Sequence, residues 1–65
     1  MMFETEVKVL RTLAGDDQLD GWGAAVSAAL GYLQGSGFAT RGSDPQLTDK
    51  GKAKLKELGY ATPQG

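Results

Sequence analysis

Leu30-Gly31-Tyr32-Leu33-Gln34-Gly35-Ser36-Gly37-Phe38, followed after a short gap by Leu47-Thr48-Asp49-Lys50-Gly51-Lys52-Ala53-Lys54-Leu55, decides how the rest of this chain is read. The first stretch ends an apolar helical stripe at Gly35, with Gly37 in the turn that follows. The second opens on an apolar anchor, Leu47. Thr48 comes next, a residue whose hydroxyl accepts from the free N–H groups of a helix's first turn, and Asp49 suits the positive end of the helix dipole. Gly51 shares a face with Leu55 and Leu58, where a side chain would hold two elements apart. Between the two stretches, Phe38-Ala39-Thr40-Arg41 alternates in character and Gly42-Ser43-Asp44-Pro45 is dense in turn residues. Gln46-Leu47-Thr48 then reads as a return strand. The pattern predicts a β-hairpin and a last helix over residues 49–58, closed by Gly59 with Tyr60 packing back on Leu55.

Toward the N-terminus, Phe3, Val7, Leu10 and Ala14 recur at helical spacing, with Leu13 beside them, and Gly15 follows as a stop. A first helix is expected over residues 4–14. Asp16, Asp17 and Asp20 lie in a polar connection; they lack the alternating ligand spacing of a calcium loop, and capping and solvation explain them. Asp20 is the expected N-cap of a second helix over residues 21–34, with Trp22, Val26, Ala29 and Leu33 on its core stripe and Ala25 and Leu30 on the flanks. The expected fold is mainly α with a small β-hairpin, in the order helix–helix–β-hairpin–helix. One domain spans residues 1–60, and residues 61–65 form a flexible tail.

Both quoted stretches resemble winged helix-turn-helix regulators of the MarR-like and PadR-like kind. Residues 30–38 look like the end of a recognition helix running into a wing, and residues 47–55 look like the Leu-Thr-x-Lys-Gly segment that closes it. The likeness covers residues 30–58. It implies a winged helix and binding to double-stranded DNA, as in a regulator of transcription or of a mobile element. Two features depart from the pattern. The helix before the recognition helix is truncated, with only residues 16–21 available. The outer face of the second helix, Gly23, Ala24, Ser27, Ala28, Gly31 and Gln34, carries no positive charge, whereas DNA readers place Arg, Lys, Asn, Gln or Ser there.

Composition limits the chemistry. The 65 residues include no Cys and no His, which removes disulfides, thiolate and imidazole metal sites, and His-based acid–base or nucleophile pairs. The reading is non-enzymatic, with no cofactor and no metal. No apolar run reaches the roughly 20 residues needed to cross a bilayer, and the first residues lack a signal-peptide pattern. A soluble, cytoplasmic protein without a membrane partner is therefore expected. Net charge is −1, with acidic residues concentrated before Gly35 and basic residues after it.

The DNA-binding candidates are Arg41 and Ser43 at the wing tip, Lys50, Lys52 and Lys54 along the last helix, and Gln34. Arg41 can enter a groove or hold a phosphate, or it can be a solvated turn residue. The lysines could make salt-sensitive phosphate contacts, or form a solubilising fringe together with Lys56. The other candidate is the small-residue row Gly23, Ser27 and Gly31. It could pack on the protein's own first or last helix, or form the interface of a homodimer or of a complex with another protein. Trp22 is expected in the core, with an exposed interaction residue as its other reading. The runner-up function is thus a protein-interaction or dimerisation module that does not bind DNA.

Overall fold

The computed structural model describes residues 2–60 and consists of three helices, α1 (Glu4–Leu13), α2 (Ala24–Gly35) and α3 (Asp49–Glu57). The tail expected over residues 61–65 lies outside the described residues. α1 is the central element: α2 and α3 both pack on it.

α1 begins where Glu6 reaches back and accepts a hydrogen bond from the Phe3 N–H at 3.0 Å, which satisfies one of the donors a helix start leaves free. Its buried stripe is Val9 and Leu10, with Leu13 and Ala14 partly buried against the core. Helical spacing predicts Phe3 at the head of this stripe, but Phe3 is 72% exposed. It precedes the first helical residue, so helical spacing does not govern where it points.

α2 is shorter at its start than expected. Gly23, not Asp20, occupies the N-cap, and no side chain caps it. Ala29 and Leu33 are buried and Val26 and Leu30 partly so, whereas Trp22 is 62% exposed. The expected core role of Trp22 is overturned for the same reason as that of Phe3. At the other end α2 runs through Gly35, and Gly37 (φ +85°), not Gly35, takes the left-handed conformation. The Gly37 N–H then bonds the Gln34 carbonyl and the Phe38 N–H bonds that of Leu33, the paired bonds of a Schellman ending. α3 closes in the same way, through Gly59 to Lys56 and Tyr60 to Leu55.

The winged-helix fold is not what this chain adopts. Among the described residues there is no strand and no sheet; the expected β-hairpin is reduced to a single antiparallel bridge, Ala39 with Leu47. The reason lies in where the neighbouring backbone groups bond. Thr40 N–H reaches Gln46 O at 2.8 Å and Thr48 N–H reaches Phe38 O at 3.1 Å, which completes the bridge. Outward from it, side chains satisfy the groups that would extend a ladder. Gln34 Nε2 donates to Thr40 O at 3.0 Å, and Gln46 N–H donates to Thr40 Oγ1 at 2.9 Å. Pro45 has no N–H to offer. Inward, Phe38 and Ala39 both donate to Leu33 O. A ladder needs free donors and acceptors on both sides, and here the groups next to the bridge are already engaged.

The core is small: Val9, Leu10, Ala29, Leu33, Ala39 and Leu55 are buried, with Leu47 and Phe38 packed at its edge. The junction between bridge and α3 is its tightest part. Thr48 Oγ1 accepts from Gly51 N–H at 3.0 Å and donates to Gly37 O at 2.6 Å, tying the start of α3 to the end of α2. A Cβ on Gly51 would lie 2.7 Å from Leu47 Cδ1 and closer still to the Phe38 carbonyl oxygen. Only glycine lets the helix approach this closely. Leu58, expected on the inner face beside Gly51 and Leu55, is the C-cap and is exposed.

Candidate interaction face

Residues 21–40 carry no charged side chain, and Asp20 and Arg41 bound the stretch. The chain turns half of α2 inward, through Ala29 and Leu33, and leaves Ala24, Ala25, Ser27, Ala28, Gly31, Tyr32 and Gly35 exposed. A surface helix ordinarily sets charged or polar groups against water; this one presents small, mostly apolar ones. A Cβ built on Gly23 or Gly31 meets nothing within 4 Å. The row Gly23, Ser27 and Gly31 therefore does not pack on α1 or α3, which removes the intramolecular reading of these residues. Trp22 at one end of the face and Tyr32, 45% exposed, toward the other add aromatic surface.

The residues expected to contact DNA are not gathered into one open cationic surface. Lys50 donates to the Ser36 carbonyl at 2.8 Å and lies 5.1 Å from the Phe38 ring centroid. Its ammonium thus neutralises the carbonyl end of α2. Lys54 pairs with Glu57 at 3.4 Å, and the Gln34 amide is engaged with Thr40 O. Arg41 and Ser43 are exposed in the loop beyond the bridge, and Lys52 is half-buried on α3.

The sequence reading missed a polar corner. Asp17 accepts from Lys8 Nζ at 3.3 Å and from Arg11 at 3.4 Å, and the Arg11 guanidinium lies 4.8 Å from the Tyr60 ring centroid. The Gln18 N–H, 2.8 Å from Asp17 Oδ1, is the main cause holding the Asp17 carboxyl below the ordinary aspartate value of 3.8; the Lys8 hydrogen bond and the charges of Lys8 and Arg11 add to it. Tyr60 thereby brings the end of α3 back onto α1. Glu4, Val7, Lys8, Arg11, Asp17 and Tyr60 line a depression of about 270 Å³ here. Lys8 and Arg11 already pair with Asp17 here, which suits a structural tie. The signal available in the sequence was Asp17 two residues past a Gly15 reversal, which folds it back over the last turns of α1. Among the described residues no group of three or more acidic side chains could hold a metal ion, and no helix is long and apolar enough to cross a membrane.

Comparison with known protein families, with curated proteins and with solved structures gives no match.

Proposed function

We propose that this protein is a non-enzymatic protein-interaction module that docks through the outer face of α2. The observation that carries this reading is an uncharged helix face left in water by a chain with little core to spare. Scattered exposed apolar residues are ordinary, whereas a contiguous uncharged face flanked by aromatics marks a contact surface. Trp and Tyr are also the side chains that most often dominate binding energy at interfaces. The DNA-regulator reading draws less support, because Lys50, Lys54 and Gln34 are already held within the molecule.

The test places a photo-activatable benzophenone side chain at Ala28 on the face, or at Lys56 on α3, in the cells that make the protein. Protein adducts from Ala28 and none from Lys56 are expected. A parallel titration with mixed-sequence duplex DNA at two salt concentrations should be flat, since phosphate contacts would appear as a steep salt dependence. Salt-sensitive binding that Arg41→Ala weakens, with no adduct from Ala28, would replace this reading by the nucleic-acid one.

A further inference from the structure

We propose that Asp20-Gly21 is a modification site, at which the folded chain spontaneously converts aspartate to β-linked isoaspartate through a cyclic succinimide. The sequence sets a glycine directly after an aspartate here and nowhere else. Ring closure requires the amide nitrogen of the following residue to reach the aspartate side-chain carbon. A Cβ on that residue crowds the approach, and glycine leaves it open. The fold adds conditions that the dipeptide alone does not guarantee. Gly23 takes the N-cap of α2 with no side chain capping it, so Asp20, the expected cap, is left uncommitted. Asp20 and Gly21 are both exposed and lie outside any helix, where helical dihedrals do not hold the backbone. Among the described residues, no hydrogen bond or ion pair ties down the Asp20 side chain or the Gly21 N–H.

The step balances without an added reagent. The Gly21 nitrogen, losing its proton, forms a bond to Cγ of Asp20, and the hydroxyl of the carboxyl group departs with that proton as water. Water then re-enters at either carbonyl of the ring. Addition at Cγ restores aspartate. Addition at the former main-chain carbonyl breaks its bond to the Gly21 nitrogen, leaves it as a free carboxylate, and routes the chain through Cβ and Cγ. Nothing is oxidised or reduced. The product carries an additional backbone atom between Leu19, which packs against the core, and Trp22, just ahead of α2. It therefore changes how Trp22 is presented, and the chemistry is the same whatever docks on α2. The other aspartates act as internal controls. Asp16 precedes a residue with a side chain, Asp17 is held by Lys8 and Arg11, and Asp49 lies within α3. Asp44 precedes Pro45, whose nitrogen has no proton to lose.

The test incubates the full chain for weeks at physiological temperature and neutral pH, folded in buffer or unfolded in guanidinium chloride. After desalting, an isoaspartyl carboxyl methyltransferase with labelled S-adenosylmethionine marks β-linked aspartate. The chain contains no asparagine, so each mark derives from an aspartate, and electron-transfer fragmentation of tryptic peptides assigns its position. The folded protein should accumulate isoaspartate at Asp20 ahead of every other aspartate, at a rate comparable with that of the unfolded chain. Gly21→Ala should slow the accumulation at least about tenfold, and Asp20→Glu, which would have to close a larger ring, should abolish it. Both variants should keep the wild-type circular dichroism. A Cβ on Gly21 meets nothing within 4 Å, and Gly21 is not among the glycines of positive φ. A folded chain that stays unmarked while the unfolded chain accumulates isoaspartate would overturn the proposal. So would isoaspartate arising first at Asp16, Asp17, Asp44 or Asp49, or an undiminished rate in Gly21→Ala.

Discussion

Gly51 and Gly31 both lie inside helices, and their surroundings are opposite. At Gly51 the Phe38 carbonyl and the Leu47 side chain stand where a Cβ would go, and the hydroxyl of Thr48 ties that junction to the end of α2. At Gly31 a Cβ would meet open space. The first glycine exists because two elements approach too closely for a side chain. The second has no such reason within the monomer, and it carries the cost in backbone entropy that glycine brings to any helix interior. A residue that weakens its own helix without an intramolecular return draws attention to what lies outside the monomer. The same contrast separates the two regions as wholes: polar groups at the α3 junction are used internally, whereas the α2 face has few polar groups to use.

The sharpest way to break this contrast is Gly51→Leu. Overpacking a site with no room should cost about 3 kcal/mol, a large part of a small domain's stability, read as a lower urea midpoint. An unchanged midpoint would mean that α3 does not dock as described. Thr48→Ala comes next. It removes the helix cap and the bond to Gly37 O together, so the loss should be about 1–2 kcal/mol; Thr48→Ser, which keeps the hydroxyl, should recover most of it. Gly31→Ala should have the opposite sign, a gain of about 0.5–1 kcal/mol measured in dilute, monomeric protein. A loss there would show that the face packs within the monomer after all. The smallest effect concerns acid. A lowered Asp17 pKa contributes stability that is fully present above the unfolded value and fades as pH falls through the folded one. Wild type should therefore lose slightly more stability than Asp17→Asn on acidification below about pH 4, and thermal melts of the two proteins across that range would show it.

Local signals were legible where they rest on backbone chemistry close in sequence. The start of α3 at Thr48, its stop at Gly59 and the reversal after α1 at Gly15 all follow from which residues accept, cap or turn. The inward role of Gly51 was legible too, because Gly51 and Leu55 share a helical face. The hairpin was not. Phe38-Ala39-Thr40-Arg41 and Gln46-Leu47-Thr48 have strand-like composition, and only the positions of the Gln34 amide and the Thr40 hydroxyl divert their hydrogen bonds. Those side chains are close in space because α2 ends where it does and the chain reverses at Gly37, a geometry that residue type alone does not state.

The interface candidates divide along the same line. Gly23, Ser27 and Gly31 were visible as a row of small residues, but whether that row faces protein or water depends on how α2 rolls against α1. Burial of Ala29 and Leu33 settles the roll and turns the row outward. Trp22 and Phe3 escaped for a related reason: each was assigned to a helical stripe, and each lies just ahead of the helix it was counted in.

By itself, then, the sequence determined the chemistry and the punctuation. It gave no thiol or imidazole, an uncharged stretch over residues 21–40, three apolar helical segments, and the residues that start and stop them. These are properties of single residues and near neighbours, governed by rotamers, local hydrogen bonds and charge. Tertiary structure alone decided that one bridge replaces a hairpin, that α1 is the element on which both other helices pack, and that α2's small-residue face looks outward. Those outcomes turn on which of several near-equal burial and hydrogen-bonding arrangements the whole chain satisfies together, and that choice is made by packing between segments far apart in sequence.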